Sequence, residues 1–418
     1  MSLEYHMKEN SDSRPLLSIV IATRNRVPYA VSAIQSILEN PDQDLELVVQ
    51  DNSDSSDLET WIKTNVCDYR LRYGRIVQPL SFVGNFNAAA EAARGEYVCF
   101  IGDDDGVNPE IMDAARWAKR GDLDAVAVKH SLNYLWRDSG VASTLFTKVT
   151  GGSLYINPFS GIVIYADMEK EMKSLVRNGG LYYLQHSLPK LYHGLVHRRC
   201  LQAIHARTGV YFAGLSPDTF ASLAIACVAR RVAVVDYPLT IPGACKVSGT
   251  VLEGSIKKHS RRLEDAPHLR HRGEYKWCEL VPRVYSVETI WVDSSVAALR
   301  AMGREDLVQE LNLAKLAAYC IGANRGVAKP VLRDMLAGLR IMGKSRVVGT
   351  LQFAMSLLSG PAVAFARRAR NRLLIMAGRR IVCRIDNLEN MVDVSHALAV
   401  YLRGHGCRFS ECIRGEGK

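Results

Sequence analysis

The chain has 418 residues, 48% of them hydrophobic and 23% charged, and carries a net charge of +10. That length holds one large domain or two ordinary ones, and that balance excludes a mostly disordered or fibrous chain. The ten cysteines contain no C-x-x-C pair, so neither a zinc site nor a disulfide framework is indicated, and reduced thiols in a cytoplasmic protein are expected.

In chain order, residues 1–15 are polar and lack an apolar run. They read as a flexible terminus with no secretory leader. Residues 16–22, LLSIVIA, are short, apolar and rich in β-branched side chains, which predicts a buried strand. TRNR follows as a loop. Pro28 then stands where a helix begins, with Ala30, Ile34, Ile37 and Leu38 at helical spacing. A second strand over 45–49 leads to Asp51 and a loop of turn formers, then to a helix over 57–65. A third strand covers 72–77. An alanine-lined helix covers 84–94, with Gly95 as its expected C-cap. The strand 96–101 runs through Gly102 into Asp103, Asp104 and Asp105. Asn108-Pro109-Glu110 then opens another helix, and 123–129 is a further strand.

Strands alternating with helices predict βαβ units and a mainly parallel sheet flanked by helices, a Rossmann-like α/β fold. Ligands bind such sheets beyond the carboxyl ends of the strands, so Asp51 and the triplet should meet on one rim. Three adjacent carboxylates repel unless a cation neutralises them. A hard divalent ion, Mg²⁺ or Mn²⁺, completing its shell with water and a diphosphate, meets that need. The competing reading is an acid-rich turn that caps the next helix. Asp51 taken alone is equally an Asx-turn residue.

Together, LSIVIATRNR, LELVVQDNSDSSD and GNFNAAAEAARGEYVCFIGDDD resemble the family 2 glycosyltransferases with the GT-A fold. The resemblance is specific over 16–130, weaker to about 245, and absent in the last third. It implies an inverting transferase that uses a nucleoside diphosphate sugar, UDP first, and a glycan or lipid-linked acceptor in polysaccharide synthesis. It implies that Ala22, Thr23 and Arg24 lie along the nucleotide, that Asp51 contacts the base, and that the D-x-D acids hold ribose and metal. Asp103 and Asp105 form one D-x-D register. Asp104 and Asp105 match the end of the commoner L-D-x-D-D form, whose first acid falls where this chain has Gly102. Asp105 is therefore the leading metal ligand, followed by Asp103 and Asp104. The general base is expected at a helix start, where GLSPDTFASLAIA supplies Asp218, although Pro217 replaces the usual preceding acid. A capping role for Asp218 is the alternative. His259 is the candidate late-loop metal ligand, against an ordinary surface histidine. His186, His193 and His197 are candidates for lining the acceptor site, against packing or capping roles.

The expected organisation is a catalytic domain over 16–284, split near 130 into nucleotide-binding and acceptor halves, and a helical, basic region over 285–418. Between Arg325 and Arg384 there are thirteen Lys or Arg against one acid, Asp334. Residues 347–366 carry no charge but are interrupted by Gly349, Gln352 and Gly360-Pro361, and Arg367, Arg368, Arg370, Arg372, Arg379 and Arg380 follow. Two amphipathic helices on an anionic membrane face are expected, against an accessory bundle or a dimer interface, with no nucleic-acid partner. Two rival functions differ in class. A sugar-phosphate nucleotidyltransferase would need glycines that ATRNR lacks. A catalytically silent nucleotide-sugar or glycan-binding subunit is the other.

Overall fold

The computed structural model describes residues 14–129, 131–140, 150–248, 263, 266–359 and 383–413. Its first half follows the predicted alternation closely. Strand β1 (Leu17–Thr23) is followed by α1 (Val27–Leu38), β2 (Leu45–Asp51), α2 (Asp57–Asn65), β3 (Leu71–Arg75), α3 (Phe82–Ala92) and β4 (Tyr97–Ile101). Then come β5 (Gly106–Val107), α4 (Ile111–Arg120) and β6 (Ala125–Val128). The helix α3 starts two residues before its predicted start because the Ser81 hydroxyl caps it, accepting from the Gly84 N–H. It ends in extended backbone at Ala93, so Gly95 is not its cap.

The region after 130 adds β7 (Leu132–Leu135), β8 (Ser153–Ile156), β9 (Val163–Tyr165), α5 (Met168–Arg177) and β10 (Leu195–His197). It continues with α6 (Arg198–Thr208), α7 (Pro217–Ala226), β11 (Val232–Val235), β12 (Thr240–Ile241) and β13 (Gly243–Ala244). One eight-stranded sheet has the order β3-β2-β1-β4-β10-β6-β11-β9. β10 and β9 run against the other six strands, so the sheet is mainly parallel as expected. The register pairs Thr23 with Asp51 and Ile21 with Ile101, which brings the ends of β1, β2 and β4 to one rim.

Alternate residues of the central strands serve two cores. Val20, Val48, Val98 and Phe100 face one side of the sheet, and Ile19, Ile21, Val49, Cys99 and Ile101 the other. Burial on both faces explains why these strands read as continuous apolar runs. The C-terminal third does not stand apart from this core. Helices Val287–Ala301, Leu313–Ala323 and Ala328–Ile341 share the first core with α3 and α7. The chain then crosses to the other face, where a strand β14 (Cys383–Ile385) pairs with β8 and the helix Met391–Gly404 packs against α1. The Met391 N–H donates to Ser32 Oγ at 2.7 Å. The helices beyond 284 thus share cores with the residues before it, and β14 is a short strand in a region expected to be helical almost to its end. The predicted break at Gly360-Pro361 and the arginines after it lie outside the described residues.

Candidate active site

Asp103, Asp104 and Asp105 follow β4 directly and are 2%, 5% and 3% exposed. Burying three carboxylates requires a partner for nearly every oxygen. Thr23 Oγ1, at the end of β1, donates to Asp103 Oδ2 at 2.6 Å. The other Asp103 oxygen lies 2.6 Å from the Arg26 guanidinium, which also reaches Asp104 Oδ2 at 3.1 Å. Ser248 Oγ donates to Asp104 Oδ2 at 2.6 Å. Asp105 takes backbone N–H groups on both oxygens, from Gly102 at 2.6 Å and from Gly243 at 2.7 Å. Tyr192 Oη donates to Asp105 Oδ2 at 3.0 Å, and His193 Nε2 stands 3.4 Å from the same oxygen.

Burial raises the Asp103 and Asp105 carboxyls above the ordinary carboxylate range. Arg26 opposes the rise at Asp103, and the two N–H donors oppose it at Asp105. Burial pushes His193 down to about 3, so its ring is neutral at physiological pH. Gly243 is required by close approach. A Cβ there would lie 1.8 Å from the Asp104 carbonyl oxygen.

The residues expected along the nucleotide separate in space. Thr23 joins the triplet. Ala22 is partly buried and packs against the core. Arg24 turns outward to Asp54 at 3.1 Å and Asn52 at 3.4 Å, and Asn25, at φ 57°, also clasps Asp54. Asp51 lies on the predicted rim but is fully buried. Its Oδ1 accepts from the Ser53 N–H at 2.8 Å and its Oδ2 from Tyr73 Oη at 2.9 Å. The contact with the Ser53 N–H is the Asx-turn arrangement that the sequence offered for Asp51 as one of two readings. His259 lies outside the described residues.

Asp218 is the second residue of α7, preceded by Pro217 at the first position. Ser216 Oγ donates to Asp218 Oδ1, and Tyr183 Oη reaches the Asp218 carbonyl at 3.5 Å. The charges of Lys190 and His268 both respond to Asp218. Lys190 is buried, with its Nζ 3.4 Å from the Leu184 carbonyl, and burial lowers its pKa. One segment thus links the two acidic centres. Tyr183 and Lys190 face Asp218, while Tyr192 and His193 face Asp105. His186 instead contacts Glu171 at 3.2 Å, and His197 caps α6 beside Glu96, at the start of β4 rather than its end.

Sequence reasoning missed Arg26, Lys190, Tyr192, Gly243 and Ser248. Arg26 was within reach, because TRNR holds two arginines three or fewer residues from Thr23. The others come from segments up to 145 positions away, and no local pattern marks them.

The fold and this acidic rim define an α/β protein with a buried carboxylate cluster at the carboxyl ends of parallel strands. Residues 18–134 match the family described as glycosyl transferase family 2, and that segment is a domain of this family. It is 34% identical over 95 residues to GalNAc(5)-diNAcBac-PP-undecaprenol beta-1,3-glucosyltransferase of Campylobacter jejuni, a match covering 22% of this chain and 30% of that one. It is 32% identical over 123 residues to the uncharacterized protein y4gI of Sinorhizobium fredii, covering 28% of this chain and 14% of that one. The chain therefore spans less than a third of either curated relative. Among solved structures it is similar to S. aureus TarS 1-349 in complex with UDP-GlcNAc, at 14% identity and a TM-score of 0.42, over 79% of this chain and 93% of that one. A second structure, of S. aureus TarS, gives 15% identity and a TM-score of 0.39, over 82% of this chain and 55% of that one.

The divalent cation expected at the triplet can be tested against these contacts. Both oxygens of Asp105 already accept from chain donors, and Asp103 and Asp104 share the Arg26 guanidinium. An octahedral ion needs carboxylate oxygens that face open space or water. Among the described residues no group of three or more His, Cys, Asp or Glu is arranged to hold a metal ion. The described side chains, as arranged, do not fit the metal assignment of Asp105 and Asp103. Arg26 supplies positive charge where that ion was expected.

Proposed function

We propose that this protein transfers a sugar from a nucleoside diphosphate donor, with UDP the first candidate, to a glycan or lipid-linked acceptor with inversion, in glycan synthesis. The observation that carries the reading is the 183–193 segment, which ties Asp218 to the buried aspartates at the rim. The name of the Campylobacter relative, which includes PP-undecaprenol, supports a lipid-linked acceptor.

In this reaction the Asp218 carboxylate takes the proton of an acceptor hydroxyl. That oxygen attacks the anomeric carbon from the face opposite the diphosphate. The bond from the anomeric carbon to the phosphate oxygen breaks, and its electron pair leaves on the diphosphate. The hydrogen bond from Ser216 orients the Asp218 carboxylate, and the buried Lys190 ammonium is a cation that feels its charge. Among the described residues, the Lys190 ammonium supplies a positive charge near Asp218 to balance the departing diphosphate.

The test is a panel of nucleotide sugars, read by thermal stabilisation and by release of the nucleoside diphosphate with and without acceptor extracts. Stabilisation by one donor and release that rises with acceptor support the reading. Stabilisation without any release, even with acceptor, would favour a silent nucleotide-sugar-binding subunit. No stabilisation by any donor would overturn both.

A further inference from the structure

Residues 346–359 form a helix that leans on Ala328–Ile341 with one side only. Gly349 makes the approach close, since a Cβ there would lie 2.3 Å from Leu339 Cδ1, and Phe353 packs against the same core. At 3.6 residues per turn, Val347, Val348, Leu351, Met355 and Leu358 fall within an arc of roughly 100° on the opposite side. They are 71%, 53%, 60%, 62% and 80% exposed. A stripe of five large apolar side chains is an unusual thing to leave in water. Ile341, 56% exposed, adds to it.

The charges on the chain leading into this helix are mostly positive, with Glu310 near Lys344. Arg333, Arg340, Lys344 and Arg346 are exposed around this helix. Asp334 pairs with Arg333 at 3.0 Å and accepts from the Arg283 N–H. No Asp or Glu occurs in the sequence from 335 to 385.

We propose that the 346–359 helix and the basic residues beside it dock the protein on an anionic lipid bilayer, with the apolar stripe among the acyl chains. Three occupants were open, and the charge decides between them. A second copy would set like charges against like across a two-fold axis, which opposes association. Nucleic acid would meet the cations but leave the stripe in water. A bilayer with anionic headgroups satisfies both at once. The described part of the helix is too short to span. At 1.5 Å per residue its described length is about 21 Å, against a hydrocarbon core of about 30 Å. Among the described residues, no helix is long and apolar enough to cross a membrane.

The experiment is flotation of the full chain with vesicles of equal parts phosphatidylglycerol and phosphatidylcholine, beside vesicles of phosphatidylcholine alone. The protein should float with the first, remain below with the second, and be released by high salt, because the headgroup field decays within a Debye length of about 8 Å at physiological ionic strength. Leu351→Glu with Leu358→Glu should lower the bound fraction about tenfold or more while leaving the melting temperature within a few degrees, since both side chains point to solvent. Arg340→Gln with Lys344→Gln should weaken binding to anionic vesicles in the same direction. The reading is overturned if the wild type stays below with anionic vesicles, or if the double glutamate variant floats as well as the wild type. A concentration-dependent dimer in sedimentation, abolished by Leu351→Glu, would reassign the face to a second copy. No donor or acceptor enters these measurements, so their outcome is separate from the transferase reading.

Discussion

Arg26 Nη1 and Asp103 Oδ1 lie 2.6 Å apart at the mouth of the parallel sheet, joining the loop after β1 to the turn after β4. The same guanidinium extends to Asp104 and to Cys245 Sγ, and stands over the Tyr29 ring. A cation held this firmly between two buried carboxylates sets the charge of the whole rim.

Replacing Arg26 by Ala should therefore cost on the order of 3 kcal/mol, the usual penalty for leaving a buried charge without its partner. The vacated carboxylates should then accept a divalent ion. Manganese should raise the melting temperature of Arg26→Ala more than that of the wild type, and adding Asp104→Asn should remove the difference. Equal manganese effects on wild type and variant would show that Arg26 does not occupy the cation position.

Asp218→Asn keeps the shape of the side chain but is a far weaker base. Transfer should fall by roughly 100- to 10,000-fold with donor affinity unchanged, the span of a general base. Weaker donor binding with an unchanged turnover rate would instead make Asp218 a donor contact.

Gly243→Ala tests the backbone cradle of Asp105. Its Cβ would meet the Asp104 carbonyl at 1.8 Å, so β13 must move and the 2.7 Å bond from Gly243 N–H to Asp105 must lengthen. A loss of about 1–3 kcal/mol in unfolding free energy is expected, typical of overpacking. A melting temperature equal to the wild type would mean that this turn is looser than the contacts imply.

Asp293, on the helix Val287–Ala301, is 1% exposed and accepts from the Cys278 N–H at 2.8 Å and from Tyr275 Oη. Burial pushes its carboxyl up from 3.8 to about 6. Between those two values the folded state binds the proton and the unfolded state does not. Stability from this group is therefore greatest below about pH 4 and is lost as pH rises to about 6, by on the order of 3 kcal/mol. Asp293→Asn should flatten that part of the pH dependence in denaturant titrations. An unchanged slope would place the titration on another group.

Apart from the two-residue β5, the order and type of the elements up to residue 128 were legible in the sequence, because local chemistry specifies them. Alternating burial on two faces makes β1, β2 and β4 apolar runs, serine and proline mark helix starts, and the rim position of Asp51 and the aspartate triplet follows from the strand ends. The partners of those acids were not legible. A carboxylate at a strand end reads the same whether it faces a metal, a ligand or its own chain. Only the folded chain brings Thr23, Arg26, Tyr192, Gly243 and Ser248 to the triplet, and Ser53 and Tyr73 to Asp51. The same holds for the last third. Its basic charge and apolar run are properties of composition, whereas which side of the 346–359 helix packs and which faces water depends on Leu339 and Gly349 meeting. That β14 returns to pair with β8 in the smaller four-stranded sheet, and the helix Met391–Gly404 to pack on α1, was likewise decided by long-range packing, since strand pairing between residues more than two hundred positions apart leaves no local pattern to read.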